Sequence, residues 1–301
     1  MKKLILILAL IIPQQLFAAF QYTEVGARPV GMNGAFSAVA DDANSVVYNV
    51  AGMGKITRAE VSAIYTSLNP GLNDNLGAGG VVYVHPIPVI GTIGVSDIEF
   101  SSSLYGERVF SLSYGREVPY MRNMYLGMSL KYLSKSYVTN AYTRFDPTFT
   151  EKTAAGGVGI DFGVLYTLPE LLNLSFALTG KNVNQPDIAL KKHDIVPAEY
   201  RVGVGCKIQE LTLDVDGVVK TNSNNDYRVL VGAEYLLLNR TAGLRAGLGA
   251  GNNEYYNIAL GIGWRLVIMK MVESSIDYSF NYNPVSLIGG GKHQVSLAFK
   301  F

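Results

Sequence analysis

The sequence predicts an all-β fold: a 14-stranded antiparallel transmembrane β-barrel with a short N-terminal hatch inside its lumen. Three observations predict this fold. The chain begins like an exported protein, apolar residues alternate with small or polar ones over most of its length, and only 16% of its residues are charged although it contains 32 glycines and 19 tyrosines. Cys206 is the single cysteine, which excludes an internal disulfide framework. A barrel needs none, because it satisfies its backbone hydrogen bonds internally.

Residues 1–18 are predicted to be a secretory signal peptide. Two lysines precede the apolar stretch 4–13, and small residues follow at Ala18 and Ala19. The apolar stretch is shorter than the ~20 residues that a spanning helix needs, so a membrane anchor is the weaker alternative. We expect cleavage after Ala18, export, and an integral position in the cell outer membrane, with outer-membrane lipid as a partner.

Residues 59–301 are predicted to form the barrel. Within 211–216, leucine and valine alternate with threonine and aspartate, and within 256–265 apolar residues alternate with asparagine, alanine, glycine and arginine. Successive side chains of a strand point to opposite faces, so each segment offers an apolar face to lipid and a small or charged face to the lumen. Fourteen segments are predicted, near 59–67, 76–86, 89–99, 106–117, 123–136, 154–168, 171–182, 198–209, 210–220, 226–237, 240–250, 254–266, 270–282 and 292–301.

The lengths of the connections support the number of strands. The long connections, 69–75, 137–153, 183–197 and 283–291, all follow odd-numbered segments. Connections after even-numbered segments are short. Bacterial barrels have long loops outside and short turns on the periplasmic side, so this distribution agrees with the predicted number and order of segments.

The last segment carries a second indication of export. Val295, Leu297, Phe299 and Phe301 alternate down to a terminal phenylalanine. This pattern resembles the closing-strand signal that the barrel-assembly machinery recognises in many outer-membrane proteins. We therefore predict Phe299 and Phe301 as the assembly signal and that machinery as a partner.

Residues 19–58 lack the alternation and are predicted to form the hatch. They are rich in small residues, and Asp41 and Asp42 precede a short helical turn that ends near Asn49. The two aspartates are interpreted as caps of that helix, in preference to a cation site. The predicted hatch or gate residues are Gly34, Asp41, Asp42, Tyr48 and Asn49.

This N-terminal segment contains four short motifs. They are Ala-Arg at 27–28, Met-Asn-Gly-Ala at 32–35, Ala-Asp-Asp at 40–42 and Tyr-Asn-Val-Ala-Gly-Met at 48–53. The segment resembles the PorV/PorQ family within the FadL-like group of outer-membrane barrels, whose pattern is Ala-Arg, Met-Gly-Gly-Ala, Ala-Asp-Asp and Tyr-x-Asn-Pro-Ala-Gly. Asn33 replaces a glycine of that pattern and Val50 replaces its proline.

The resemblance implies a 14-stranded barrel with the N-terminal segment as a hatch in the lumen. It also implies two kinds of function. FadL-like members take up hydrophobic molecules by passive diffusion, whereas PorV-like members are barrel adaptors in type IX protein secretion.

No enzyme, cofactor or metal site is predicted. His85, His193 and His293 have no metal-ligand spacing, and Ser296 lies on the opposite strand face from His293, which disfavours a catalytic pair. The net charge of +1 gives no reason to expect a nucleic acid as partner.

Three functions stay open from the sequence. The first is passive uptake of small hydrophobic molecules gated by the hatch, the second is a non-conducting adaptor that holds secreted cargo proteins, and the third is a narrow general porin. The lumen-facing charges mix both signs, which disfavours a selective ion channel. Aromatic residues of the longest loop could form the surface where a ligand enters, or could equally pack against the barrel rim: Tyr137, Tyr142, Phe145 and Phe149.

Overall fold

The computed structural model describes residues 20, 24–68, 70, 76–140, 144–146, 152–191, 193–221, 226–268, 272–285 and 290–301. The predicted signal peptide, residues 1–18, lies outside the described residues, as do Tyr142 and Phe149 of the predicted ligand surface. Within the described ranges, no helix combines the length and the hydrophobicity needed to cross a membrane.

Fourteen antiparallel strands, paired in sequence order, close into a barrel, because β1 pairs with both β2 and β14. The predicted closed barrel of 14 antiparallel strands is confirmed. The largest shift at a strand start is at β7, predicted from residue 171 and observed from Leu174. The strands are β1 Glu60–Leu68, β2 Gly77–Ile87, β3 Gly91–Ser101, β4 Tyr105–Glu117, β5 Met124–Tyr137, β6 Ala154–Leu168, β7 Leu174–Lys181, β8 Glu199–Ile208, β9 Leu211–Lys220, β10 Asp226–Leu237, β11 Ala242–Gly251, β12 Tyr256–Ile268, β13 Val272–Tyr282 and β14 Lys292–Lys300.

The apolar face of the strands points outward. On β9, Leu213 is 37% exposed and Val215 is 45% exposed, whereas Asp214 and Asp216 are fully buried inside the barrel. A water-soluble sheet would bury its apolar face instead. The outward band of leucine, valine, isoleucine and tyrosine therefore fits a lipid environment, and the polar face lines the lumen.

The last strand closes the barrel against the first. Glu60 pairs with Lys300, and Phe301 N donates a hydrogen bond of 3.0 Å to the Ala59 carbonyl. Phe299 shares the outward face of β14, and Phe301 is 53% exposed. Recognition of these two phenylalanines by the assembly machinery stays a prediction.

Residues 24–58, called the inner segment below, form three short helices. These are α1 Ala27–Gly31, α2 Ser45–Tyr48 and the 3-10 helix η1 Val50–Lys55. Helix α1 contacts β11 to β14, whereas η1 contacts β3 to β6 on the opposite side of the barrel. Contacts with opposite walls of a closed barrel place the segment inside the lumen.

The turn after α1 explains one departure from the family pattern. Asn33 has a φ of 56° and Gly34 a φ of 77°, so both residues adopt left-handed backbone conformations. Asparagine tolerates this conformation better than other side chains do, because its short polar group forms local hydrogen bonds. Asn33 can therefore replace glycine without losing the turn.

The described part of the connection between β7 and β8, residues 182–191 and 193–198, is called the mouth loop and folds towards the lumen. Its Ile188 and Val196 are each 1% exposed and pack with Leu133 of β5 and with Phe20. Val183 N donates to the Ile160 carbonyl at 3.0 Å, so the loop also continues the barrel wall beyond the short strand β7. The barrel end that carries this loop and the other long connections is called the loop end, and the opposite end the turn end.

Candidate functional site: the occupied lumen

A buried arginine ties the inner segment to itself and to the barrel. Arg28 Nη1 lies 2.5 Å from Asp41 Oδ1 and 2.8 Å from Asp42 Oδ2, and its Nη2 lies 2.7 Å from Glu234 Oε2 of β10. The Arg28 side chain is only 10% exposed. A planar guanidinium has enough donors to serve all three carboxylates, so this one side chain joins the inner segment to the wall.

This arrangement corrects the interpretation of the two aspartates as helix caps. The N-cap residue of α2 is Asn44, and no side chain caps that helix. Asp42 Oδ1 instead accepts hydrogen bonds from Asn44 N and Nδ2, both at 2.9 Å. The local capping rule was wrong here because Arg28, 13 residues before Asp41, supplies a stronger charged partner.

The ion pair between Arg28 and Asp41 lowers the pKa of the Asp41 carboxyl. Burial alone would raise the pKa of Asp41, but the Arg28 guanidinium outweighs it and holds that pKa well below its usual range. A carboxyl with a lowered folded pKa contributes stability above its unfolded pKa and loses it as the pH falls through the folded value. The pair is therefore fully formed at neutral pH.

Glu234 extends the cluster into the barrel wall. Its Oε1 accepts a hydrogen bond of 2.8 Å from Arg245 Nε, and Arg245 Nη1 lies 2.7 Å from Asp277 Oδ1. Both Glu234 and Arg245 are 1% exposed at the side chain. Glu234 therefore lies between two buried guanidinium groups, one from the inner segment and one from β11.

Replacing Glu234 is expected to destabilise the protein strongly. A Glu234→Gln variant removes the carboxylate that Arg28 and Arg245 share inside the barrel, and removing one partner of a buried pair costs about 3–5 kcal/mol. The matched control is Glu273→Gln, which removes the exposed partner of Arg58 and is expected to cost about 1 kcal/mol or less. Urea unfolding in detergent micelles measures both, and equal losses for the two variants would contradict this account of the cluster.

Two aspartates of β9 hold the backbone of the inner segment. Asp216 Oδ2 accepts from Phe36 N and Ser37 N, each at 3.3 Å, and Asp214 Oδ2 accepts from the next two amides at 3.0 and 3.1 Å. The Ser37 hydroxyl also donates to Asp216. The two-residue spacing puts both carboxylates on the lumen face, where four consecutive N–H groups donate to one oxygen of each.

Tyr48 of the inner segment is buried inside the lumen. Its ring lies 5.4 Å from Lys181 Nζ and 5.8 Å from Arg201 Cζ, measured to the ring centroid. Both distances suit cation–π attraction. Burial raises the pKa of Tyr48 well above its ordinary value, so the phenol stays neutral.

Asn49 joins three parts of the structure. Its Nδ2 donates to the Ser37 carbonyl at 2.8 Å and to the Val164 carbonyl of β6 at 3.3 Å. Its Oδ1 accepts from Ala51 N at 3.1 Å and so caps η1. Asn49 is therefore a structural link between the inner segment and the wall.

Glycines of the wall let the inner segment approach closely. A Cβ added at Gly247 would lie 2.4 Å from the Met32 carbonyl carbon, and one at Gly127 would lie 2.5 Å from the Val50 carbonyl oxygen. Such distances are far shorter than van der Waals contact. Because only glycine fits at these positions, the backbone of the inner segment packs directly on the wall on both sides.

The inner segment separates two cavities. The cavity at the loop end encloses about 790 Å³ of empty space, part of it open to solvent, and has apolar walls that include Phe20, Phe100 and Val109. The cavity at the turn end encloses about 580 Å³ and is polar, with Glu60 and Lys300 among its lining residues. The structure thus has an amphipathic chamber on one side of the inner segment and a polar chamber on the other.

All five predicted hatch residues belong to the inner segment, and four make the contacts given above. The fifth, Gly34, accepts a hydrogen bond of 3.0 Å at its carbonyl from Arg201 Nη1. Their role as a gate stays a prediction. Sequence reasoning did not find the cavity residues, because the apolar ones come from separate strands and only their position around the closed barrel brings them together.

The structure does not bring the described residues of the predicted ligand surface together. The ring centroids of Tyr137 and Tyr105 lie 4.9 Å apart at the rim of the barrel. This contact fits the alternative that the aromatic residues of the loop pack against the rim. Phe145 is 74% exposed, and the centroid of its ring lies 4.6 Å from Arg144 Cζ. The loop that folds over the mouth is instead the connection between β7 and β8, and the signal in its sequence was the presence of Ile188 and Val196.

Comparison with known proteins decides the family. The model of the family described as type IX secretion system membrane protein PorP/SprF matches residues 42–299, which is most of the chain. The chain belongs to the PorP/SprF family. The match does not name PorV/PorQ, the family that the motifs of 27–53 resemble. No curated protein matches this PorP/SprF-family chain.

Solved structures similar to this PorP/SprF-family protein include a channel, a FadL homologue and a transporter. The CymD monoaromatic hydrocarbon channel has a TM-score of 0.65 at 12% identity, covering 94% of this chain and 98% of that chain. A Pseudomonas aeruginosa FadL homologue has 0.63 at 13%, covering 92% and 98%. The Ralstonia pickettii toluene transporter TbuX has 0.61 at 13%, covering 93% and 99%. Identities this low show a shared fold alone: this protein has the closed-barrel architecture of these three structures.

These comparisons give no support for an enzymatic activity. Neither the PorP/SprF family nor the similar channels are described as enzymes. Among the residues that the structure describes, no group of three or more histidine, cysteine, aspartate or glutamate side chains could hold a metal ion.

Proposed function

We propose that this protein is a sealed barrel component of the type IX secretion system, which anchors or organises that machinery in the outer membrane without conducting solutes. The observation that carries the proposal is the occupied lumen, in which the inner segment is clamped by buried ion pairs and by backbone contacts at wall glycines. The family match over residues 42–299 supports the link to type IX secretion.

The buried ion pairs and hydrogen bonds that hold the inner segment favour a closed barrel over a mobile gate. Releasing the inner segment would take the Arg28 donors away from Glu234 and the backbone N–H donors away from Asp214 and Asp216. An unsatisfied buried acceptor costs about 1–3 kcal/mol, and more when it is charged. Several such losses at once make spontaneous opening rare, so a narrow general porin is the least favoured of the three functions.

Deletion of the gene in the native host tests the secretion role. We expect proteins exported by the type IX route to disappear from the culture medium and to return when the wild-type gene is supplied. Other outer-membrane proteins, measured in the same fractions, serve as the control for general envelope damage. Normal secretion of type IX cargo in the deletion strain would contradict the proposal.

A second candidate function is passive uptake of a small hydrophobic molecule, favoured by the cavity at the loop end. Its apolar walls and its position outside the inner segment suit the first step of such a pathway. The fold is shared with proteins named as hydrocarbon channels and a toluene transporter. Faster accumulation of labelled toluene by cells that contain the protein, compared with the deletion strain, would support uptake, and equal accumulation would exclude it.

A further inference from the structure

One part of strand β6 has no strand beside it on its β7 side. Strand β5 pairs with β6 from Ala154 to Tyr166, whereas β7 pairs with β6 only from Phe162 to Leu168. Residues 154–161 of β6 therefore extend beyond β7 towards the loop end. A strand without a neighbour presents a row of unpaired N–H and C=O groups along its edge.

The mouth loop satisfies the lower part of this edge. Asn184 Oδ1 accepts from Ile160 N at 2.9 Å, and Asn184 Nδ2 donates to the Val158 carbonyl at 2.7 Å. The Ile160 carbonyl accepts from Val183 N at 3.0 Å. A side chain thus takes the place that a neighbouring strand would have beside Ile160.

Above Asn184 the backbone of this edge is unpaired. Alternate residues of an antiparallel strand direct both backbone groups to the same neighbour. Because Ile160 bonds towards β7, Ala154, Gly156 and Val158 point the same way. Within the described ranges, the N–H groups of these three residues and the carbonyls of the first two have no partner. These five backbone groups are called the free edge below.

Tyr132 of β5 places the free edge at the aqueous side of the membrane. Tyr132 pairs with Val158 and is 53% exposed on the outward face. A Cβ added at Gly156 would lie 2.6 Å from the Tyr132 hydroxyl oxygen, so the hydroxyl points towards the loop end. Outward tyrosines mark the interface between membrane and water, and unpaired backbone is not tolerated in hydrocarbon. The free edge therefore lies in water at the loop end, which faces outwards in bacterial barrels.

The side chains around the free edge leave room on one face. Ala154 and Gly156 are small and exposed on the outward face. On the inward face, a Cβ added at Gly157 would lie 3.2 Å from side-chain atoms of both Pro186 and Ile188 in the mouth loop. A strand added here can carry large side chains outward and only small ones inward.

We propose that the free edge is a docking site for an extended segment of another protein at the cell surface. The segment continues the sheet in the place of β7 and runs antiparallel to β6. Its backbone pairs with Ala154, Gly156 and Val158, which supplies affinity, and its alternation of large and small residues supplies selectivity. The site goes beyond the proposed anchoring function and does not depend on it.

The test uses the full mature protein in lipid nanodiscs and a fluorescein-labelled octapeptide, Lys-Ala-Val-Ala-Phe-Ala-Val-Lys, with blocked termini. In a paired strand, the residues opposite Ala154, Gly156 and Val158 direct their N–H groups at β6 and their side chains outward. These are the valines and the phenylalanine of the probe. N-methylation of those three residues removes the pairing N–H groups, whereas N-methylation of the three alanines changes groups that point away from β6.

Fluorescence anisotropy measures the affinity of each peptide, and empty nanodiscs correct for binding to lipid. We expect N-methylation of the valines and the phenylalanine to weaken binding at least tenfold, because three backbone hydrogen bonds are lost. N-methylation of the alanines should change the affinity less than about threefold. Hydrogen exchange of residues 154–158 should slow when the unmodified peptide binds.

Two substitutions at one position test the edge of the protein itself. Ala154→Pro removes an unpaired N–H group, and proline is tolerated at the first residue of a strand. It should weaken binding of the unmodified peptide about tenfold, since the proline ring also occupies the place of the hydrogen bond. Ala154→Val adds similar bulk, retains the N–H group and should change the affinity less than about threefold. Heat-modifiable mobility on gels shows that both variants are folded.

Four results would overturn the proposal. The wild type binds no peptide, it binds both methylated peptides equally, or it binds only after removal of residues 139–152, which would show that its own loop covers the edge. The fourth is a dimer in detergent that Ala154→Pro converts to a monomer, which would assign the edge to a second copy of this chain. None of these results changes the secretion phenotype of the deletion strain, so the proposed function is tested separately.

Discussion

A chain that lacks residues 20–58 is expected to form an open pore where the intact protein is closed. The inner segment contacts opposite walls of the lumen and separates its two cavities, so its removal leaves a continuous polar channel lined by the charged faces of the strands. The barrel itself closes without the segment, because every strand pairs with its neighbours. Single-channel recording in planar bilayers should show steady conductance steps for the truncated chain and none for the intact one.

The control for this deletion is a second shortened chain that keeps the inner segment in the lumen. Removing residues 139–152 shortens the β5–β6 connection and retains the whole inner segment. This control should stay closed, and heat-modifiable mobility on gels should show that both shortened chains are folded. Liposome flux of polar and apolar tracers gives a second readout. Unchanged flux after removal of 20–58 would refute any sealing or gating role of the segment.

A single side chain added to the wall should also dislodge the inner segment. In Gly247→Leu the new Cβ would lie 2.4 Å from the Met32 carbonyl carbon, and backbone cannot yield as the end of a flexible side chain can. Overpacking of this kind costs about 1–3 kcal/mol even where neighbours relax. We expect the segment to loosen locally while the strands stay paired.

Labelling of a buried position measures this loosening. Ala35 is fully buried, so Ala35→Cys in a Cys206→Ser background should react slowly with a maleimide. Adding Gly247→Leu should raise the labelling rate by about tenfold or more, since 1.4 kcal/mol corresponds to a factor of ten. Gly217→Leu is the matched control, because the nearest atom to its added Cβ is 3.9 Å away. Equal rates for the two leucine variants would show that close packing at Gly247 does not hold the segment.

The barrel could be predicted from the sequence because the rule that determines it is local. Each strand separates lipid from lumen, so alternation appears within ten residues and recurs wherever a strand crosses. β2 and β3 alternate less regularly, yet both lie within two residues of the predicted segments 76–86 and 89–99. The lumen face of β9 was likewise predicted from the spacing of Asp214 and Asp216.

The contacts inside the lumen could not be predicted, because they join residues far apart in the chain. Nothing near Asp214 indicates that it accepts from amides 176 and 175 positions away, and nothing near Arg28 indicates Glu234. The same reason explains the wrong assignment of Asp41 and Asp42 as helix caps. The capping rule considers only neighbouring residues. It therefore predicted the short helix but not the ion pairs of Asp41 and Asp42 with Arg28, which lies elsewhere in the chain.

The cavity at the loop end, which Lys181 lines, was missed for a related reason. Lys181 is the last residue of β7, and the strand pattern puts it on the lumen face with Ser175 and Thr179 but does not indicate what lies opposite it. Its partner Glu199 starts β8 after that loop. Only the pairing of Lys181 with Glu199 across the two strands shows that both face the same chamber.

Hydrogen exchange at the amides of residues 36–39, measured by mass spectrometry on the intact protein in lipid nanodiscs, tests the central claim most directly. If the carboxylates of β9 hold this backbone inside a lipid-embedded barrel, these amides exchange as slowly as those of Val215 in the strand itself, and far more slowly than that of Glu210 in the exposed turn. Exchange at the rate of the exposed turn would contradict an occupied, sealed lumen and the function derived from it.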